Sequence, residues 1–233
     1  MRLKTVAGAV LGALIACSLY ALPMALAEEA VPGGSAPVIQ DPSEVEPNPV
    51  PAESYKGSSF AVGGARYEVT KISASAIDKG SCEAQLTRFT GSGSSFKIPA
   101  TVTYTAGGYG LVKLKVTSIA KNAFNNAKGH KLKFVTIGEN VSSIGDAAFK
   151  GCKKLTKITM KGTGLKSVGP NTGSNNTKKL VKLKKKWKKC TAFNAVPRTC
   201  KIVVPQPQGI NFGPVENVRQ LVGHAGFKGV VSW

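Results

Sequence analysis

The chain reads as a mainly β protein. The expected architecture is a right-handed solenoid of short parallel strands with few helices, preceded by an N-terminal β cap and closed by a short C-terminal helix. Two observations predict it. The phrase Val116-Thr-Ser-Ile119-Ala-Lys-Asn-Ala-Phe124 returns as Val141-Ser-Ser-Ile144-Gly-Asp-Ala-Ala-Phe149, and a shortened copy follows at Leu165-Lys-Ser-Val168-Gly169. The first two copies each lead into a strand-like hexad, Leu132-Lys-Phe-Val135-Thr-Ile137 and Leu155-Thr-Lys-Ile158-Thr-Met160. A unit of this size cannot bury its apolar residues alone, so copies must stack on one another and leave their outer faces free.

Ile119 and Ile144 are 25 residues apart, as are Phe124 and Phe149, which is the period of a leucine-rich repeat. The hexad leucines are 23 apart, because the first repeat carries a longer turn over residues 125–131, where extra length is tolerated. Ile119, Ile144, Val168, Leu132 and Leu155 are expected to be buried, with Ile158 and Met160 also pointing inward. Phe124 and Phe149 should fill the middle of their coils, and Ala147 and Ala148 are small because neighbouring coils approach closely there.

The run Ile144-Gly-Asp-Ala-Ala-Phe-Lys-Gly-Cys-Lys-Lys-Leu-Thr-Lys-Ile-Thr-Met160 resembles the repeat of the BspA-like leucine-rich repeat proteins of bacterial surfaces. The resemblance covers residues 110–170 and extends more loosely to 205. It implies a leucine-rich-repeat fold and an extracellular binding role, and it carries over no catalytic residues.

The remaining elements fall on either side of this repeat. Arg2 and Lys4 precede an apolar run over residues 5–27 that ends in Ala25-Leu-Ala27, a secretory leader with the mature chain starting at Glu28. Leu14-Ile-Ala-Cys17-Ser18 also reads as a lipid-attachment box, with Cys17 carrying the anchor, and an uncleaved membrane anchor is a third reading, interrupted by Pro23. Residues 28–58 hold six prolines and six acids against the single base Lys56, the composition of an extended, semi-rigid linker. Residues 59–116 alternate like strands at Tyr67-Glu-Val-Thr-Lys-Ile72, Cys82-Glu-Ala-Gln-Leu-Thr-Arg-Phe89, Phe96-Lys-Ile-Pro-Ala-Thr-Val-Thr-Tyr104 and Leu111-Val-Lys-Leu-Lys-Val116, with glycine-rich turns between, and form the β cap. The solenoid is placed at 117–205 and a C-terminal cap at 206–233, where Val215, Val218, Leu221 and Val222 recur at helical spacing behind Pro214.

Charge narrows the choice of partners. Residues 59–233 carry 29 bases against 6 acids, a field that attracts polyanions such as wall polymers, anionic headgroups, glycans or nucleic acid. The plainer reading is that the lysines keep a strand-rich surface soluble and block edge pairing. Eight lysines crowd into residues 178–189: Lys178, Lys179, Lys182, Lys184, Lys185, Lys186, Lys188 and Lys189, with Trp187 among them. As a helix this segment would set Leu180, Leu183 and Trp187 on one face. As a coil it fits better: Leu180 falls 25 residues after Leu155, so Leu180 and Leu183 turn inward while Lys182 and Lys184 face solvent, although Lys185 then falls where Met160 would be. A basic coil at 178–189 would contact a polyanion, with Trp187 offering a flat surface to a sugar or base. Thr191-Ala-Phe193 restores the Ala-Phe pair 44 residues beyond Phe149, close to two repeats, and Cys200-Lys-Ile-Val-Val204 before Pro205 supplies a further strand.

Four cysteines follow the leader: Cys82, Cys152, Cys190 and Cys200. Cys190 and Cys200 flank one turn and are the candidate disulfide, whose short loop would contribute about 2 to 3 kcal/mol on the chain-entropy model; Cys152 reads equally well as a buried thiol. There is no Cys-x-x-Cys, and His130 and His224 lie in unrelated elements, so no metal or cofactor site is expected. Six acids and two histidines in the folded region give acid–base catalysis little to work with, and Gly107-Gly-Tyr-Gly110 lacks the lysine and helix of a phosphate loop. The expected function is a non-enzymatic recognition or adhesion module, secreted or on a bacterial surface, whose strand face binds a host or neighbouring-cell protein, the partners being a protein or a polyanionic surface polymer of host or cell wall. The alternative is a surface protein that binds polyanions through the lysine-rich coil. Membrane contact would come only through an uncleaved or lipidated N-terminus.

Overall fold

Each repeat holds two short runs that alternate apolar and polar residues, separated by a corner of small residues, and each coil therefore contributes one strand to each of two sheets. The computed structural model describes residues 50–169, 191–206 and 213–233, all within the unit Pro47–Trp233. In chain order the strands are β1 (Ser59–Val62), β2 (Ala65–Lys71), β3 (Glu83–Phe89), β4 (Ser95–Lys97), β5 (Thr101–Thr105), β6 (Leu111–Ile119), β7 (Phe134–Ile137), β8 (Ser143–Ile144), β9 (Lys157–Met160), β10 (Ser167–Val168), β11 (Lys201–Val203) and β12 (Val230–Ser232). The helices are α1 (Ala74–Asp78), capped by the Ser73 hydroxyl accepting from the Ala76 amide, and α2 (Gly213–His224).

The first sheet runs β1-β2-β3-β6-β8-β10 with β5 against β6, and the second runs β4-β7-β9-β11-β12. All pairings in the second sheet are parallel, as are β3–β6, β6–β8 and β8–β10 in the first. The register stacks like on like. Leu86, Ile119, Ile144 and Val168 form one row, and Phe96, Val135, Ile158, Ile202 and Val231 the facing row. Ile119 and Ile144 are buried as expected. Val168 is half-buried, because among the described strands the first sheet ends at β10 and none lies beyond it.

A column of phenylalanines runs through the centre. Phe124 and Phe149 lie 4.8 Å apart between ring centroids at 6°, and Phe149 and Phe193 lie 5.5 Å apart at 3°, all three almost fully buried. Phe89 and Phe96 extend the column on one side and Phe227 meets Phe193 edge-on at the other. The strands β3 and β4 thus make a coil of their own, although residues 83–97 carry no copy of the repeat phrase. Outside it, β1 and β2 form a hairpin through Gly63 and Gly64, both at positive φ, as the tightest hairpin turn requires. At the opposite end α2 buries Val215, Val218 and Val222, and Asn217 donates to the Leu165 carbonyl at 3.0 Å.

The fourth coil departs from the expected register. The strand beside β9 is β11, with Ile202 opposite Ile158, so the places expected for Leu180 and Leu183 belong to Cys200 and Ile202. The turn bonds agree: Leu132 N donates to Gly129 O, Leu155 N to Cys152 O and Cys200 N to Pro197 O, three equivalent positions on three successive coils. Phe193 is therefore one coil beyond Phe149, not two. The extra length sits in one corner. Ala123 N donates to Ala120 O and Ala148 N to Gly145 O across two intervening residues, whereas Ala192 N donates to Gly169 O at 3.1 Å across residues 170–191. The strand position beside β9 that the sequence reading gave to Leu180 and Leu183 is thus filled by β11, and the lysine cluster itself lies outside the described residues.

Candidate functional site

Along each strand of the second sheet alternate residues face inward, so the outer face repeats in rows. Ser95, Phe134, Lys157, Lys201 and Val230 form one row, all exposed, with Phe134 at 48% and Val230 at 57%. One step along, Lys97, Thr136, Thr159, Val203 and Ser232 form the next. No described element packs over this face. It is a continuous parallel-strand surface mixing isolated apolar groups with lysines and hydroxyls.

The outer face of the first sheet is more polar. Thr117 donates to Glu83 at 3.0 Å, Lys71 pairs with Glu83 at 4.0 Å, and Gln85, Ser118, Ser143 and Ser167 line up across the strands, with Ser167 bonded to Ser143 at 2.9 Å. These are internal contacts that tie coil to coil.

The candidate chemical groups serve packing. His130 Nε2 lies 3.2 Å from the Lys150 carbonyl and 3.4 Å from Asn125 Oδ1, linking two coils, and His224 ends α2. Among the described residues no group of three His, Cys, Asp or Glu side chains is placed to hold a metal ion. A shallow cleft of about 330 Å³ lies beside Phe89, Asn126 and Lys128, and one of about 320 Å³ beside Arg219, Phe227 and Val230; neither brings a nucleophile to a base.

Cys82, Cys152 and Cys200 are free buried thiols. Burial pushes Cys152 up to about 12, assisted by the neighbouring Cys200, and pushes Cys200 up to about 11. The same desolvation holds Tyr67 at about 12. Cys200 occupies a core position equivalent to Leu155, while its candidate disulfide partner Cys190 lies outside the described residues. Two results are expected. Iodoacetamide at pH 8 should leave Cys82, Cys152 and Cys200 unmodified in the folded protein and label them in denaturant, as peptide mass mapping would show. Because the thiol groups keep their protons longer when folded than when unfolded, the stability they contribute is complete below about pH 9 and is lost as pH rises toward 11 and 12. A denaturation midpoint that stayed flat over that range would contradict their burial.

Lys178, Lys179, Lys182, Lys184, Lys185, Lys186, Trp187, Lys188 and Lys189 lie outside the described residues; the described chain meets on either side of them where Ala192 N donates to Gly169 O, at one corner of the fourth coil. The sequence reading missed the outer row of the second sheet. Its signal was the unburied partner of each inward apolar pair: Lys157 before Ile158 and Lys201 before Ile202. Among the described residues no helix is long and apolar enough to cross a membrane.

Three solved structures are similar to parts of this chain. A leucine rich cell surface protein from Faecalibacterium prausnitzii A2-165 shares 27% identity over 46% of this chain and 24% of its own, with a TM-score of 0.35. A leucine-rich repeat protein from Bacteroides ovatus ATCC 8483 shares 25% over 62% and 31%, with a TM-score of 0.35. The T. pallidum leucine rich repeat protein shares 21% over 63% and 53%, with a TM-score of 0.36. The chain thus spans between about a quarter and a half of the length of these proteins. A comparison with curated proteins finds no match. Residues 112–199 match the BspA type leucine rich repeat region in six copies, and the stacked coils of this stretch are a leucine-rich repeat of the BspA type.

Proposed function

We propose that this chain is a non-enzymatic recognition module of a bacterial surface, binding an extracellular protein through the outer face of the second sheet. The observation that carries the reading is the uncovered strand face on which Phe134 and Val230 stand exposed among lysines and threonines, since isolated apolar anchors within a polar surround are how recognition surfaces gain affinity. The family resemblance supports the surface setting, and the sequence of the leader supplies the route. Cleavage after Ala27 is expected, so N-terminal sequencing of the exported product should begin at Glu28; a lipid-modified Cys17 at the mature terminus would show an anchored lipoprotein instead.

The test is capture from host and outer-surface extracts by the immobilised chain at low and high salt. Phe134→Glu and Val230→Glu should abolish the bands that survive high salt, since burial of apolar area is little screened by ions. Bands retained by both variants would place the contact elsewhere.

A second reading is the binding of polyanions by Lys178 to Lys189, and its motive is the sequence alone: eight lysines within twelve residues concentrate positive charge. Replacing residues 170–191 by the Asp-Ala pair of the preceding coil is expected to leave thermal unfolding cooperative while weakening heparin binding. A folded replacement that binds heparin unchanged would remove this reading.

A further inference from the structure

We propose that the margin of the second sheet where its strands begin is a binding site for a linear anionic polysaccharide, one anionic ring to each coil. It shares with the polyanion reading only the sign of the ligand's charge; its residues are different ones, all described.

Lys131 precedes the ladder residue Leu132, Lys154 precedes Leu155, and Arg198 lies two residues before Cys200, the equivalent position of the next coil. Lys157 and Lys201 open β9 and β11, and Lys133 stands one residue before β7. Thr156 N donates to Lys133 O and Lys201 N to Thr156 O, so these segments are immediate neighbours in the stack, and Lys157 and Lys201 are direct partners across β9 and β11. Lys228 continues the series into the β12 coil. All these side chains are exposed.

The arrangement costs stability, and among the described residues no acid is paired with it. Strands lie about 4.8 Å apart, and like charges directly opposite on neighbouring strands repel. The acids of this stretch sit elsewhere: Glu139 follows the far end of β7, and Asp146 lies in the corner after β8. Neither described ion pair, Lys71 with Glu83 or Arg219 with Glu216, involves these cations. A row of cations without an ion-pair partner among the described residues, at a fixed short pitch, concentrates its field along one line, and its complement is a chain whose negative charges recur along a line.

The choice of polysaccharide over nucleic acid follows from what stands beside the cations. Thr136 and Thr159 are direct partners one step along the same outer face and offer hydroxyls to sugar hydroxyls. Among the described residues Phe134 is the exposed aromatic at the strand starts and gives one apolar surface, whereas single-stranded nucleic acid is held by successive aromatics on which bases stack. The cations are mostly lysines, point charges suited to a carboxylate or sulfate in any orientation, rather than the arginine forks that grip phosphate in two places. An extended pyranose chain advances by about one strand spacing for each ring.

The experiment uses the full chain, with polygalacturonate and heparin as probes and a single-stranded oligothymidine as comparison, titrated over a salt series. The margin variant carries Lys133→Gln, Lys157→Gln, Arg198→Gln and Lys201→Gln; a charge-matched control carries Lys113→Gln, Lys115→Gln, Lys121→Gln and Lys166→Gln. The margin variant should bind polygalacturonate and heparin at least about tenfold more weakly, with the slope of log affinity on log salt shallower by about one unit for each ion pair removed, and the control should weaken by less than about threefold. Equal losses in both variants would reduce the effect to net charge and overturn the site. Tighter binding of the oligothymidine than of either polysaccharide, lost in the margin variant, would overturn the ligand class. A loss seen only when Lys182, Lys184, Lys186 and Lys188 are changed to Gln would overturn the margin site and leave the insertion as the polyanion contact.

Discussion

Phe149→Ala should destabilise the protein by about 3 to 5 kcal/mol, the range for removing a large aromatic ring from a packed core. Phe149 has a ring stacked on each face, Phe124 at 4.8 Å and Phe193 at 5.5 Å, so truncation opens a gap between two coils that can close only if the backbone ladders on both sides shorten. Those ladders are held by pairing on β7–β9 and β9–β11, which resists collapse. Urea unfolding followed by circular dichroism measures the effect. A loss below about 1 kcal/mol would mean that the column is not continuous, and the double variant with Phe124→Ala should be less than additive because the two rings share one contact.

Gly145→Ala should cost about 1 to 3 kcal/mol, as overpacking does where the neighbour cannot move aside. A methyl group at Gly145 would lie 2.6 Å from the Lys121 amide nitrogen and 2.7 Å from the Ala120 carbonyl carbon, both backbone atoms of the preceding coil. Gly145 N also donates to Ile119 O at 2.8 Å, so the two coils cannot separate without breaking the ladder. Gly164→Ala is the control, since nothing lies within 4 Å of its added carbon and stability should be unchanged or slightly improved. Equal effects at the two glycines would show that the close approach of coils is not limiting.

The first of these positions shows where sequence and structure coincide. Phe149 was legible because Phe124 precedes it by one repeat, and an apolar aromatic recurring at fixed period has few explanations other than a shared interior. Ile119, Ile144, Leu132 and Leu155 were legible for the same reason, and the spacing of Val215, Val218 and Val222 announced α2. The fourth coil was not legible. Its ladder residue is Cys200 where the period asks for leucine, and the segment from Lys178 offers Leu180 at the expected distance, so periodicity pointed to the wrong residues. The coil of β3 and β4 was hidden too, because Phe89 and Phe96 enter the aromatic column without the Ala-Phe corner that marks the later coils. The cationic margin was hidden because its residues are far apart in sequence and meet only through the stacking register of β7, β9 and β11.

The corner between Gly169 and Ala192 has a consequence for how this chain tolerates change. Loop closure grows only with the logarithm of length, so extending a two-residue connection to one of 22 costs on the order of 2 kcal/mol, less than the removal of one stacked ring. The cost depends on length and hardly on composition. Unrelated segments of similar length grafted at this corner should therefore leave the melting temperature nearly constant, so that the residues between Gly169 and Ala192 could be exchanged without resetting the stability of the coils.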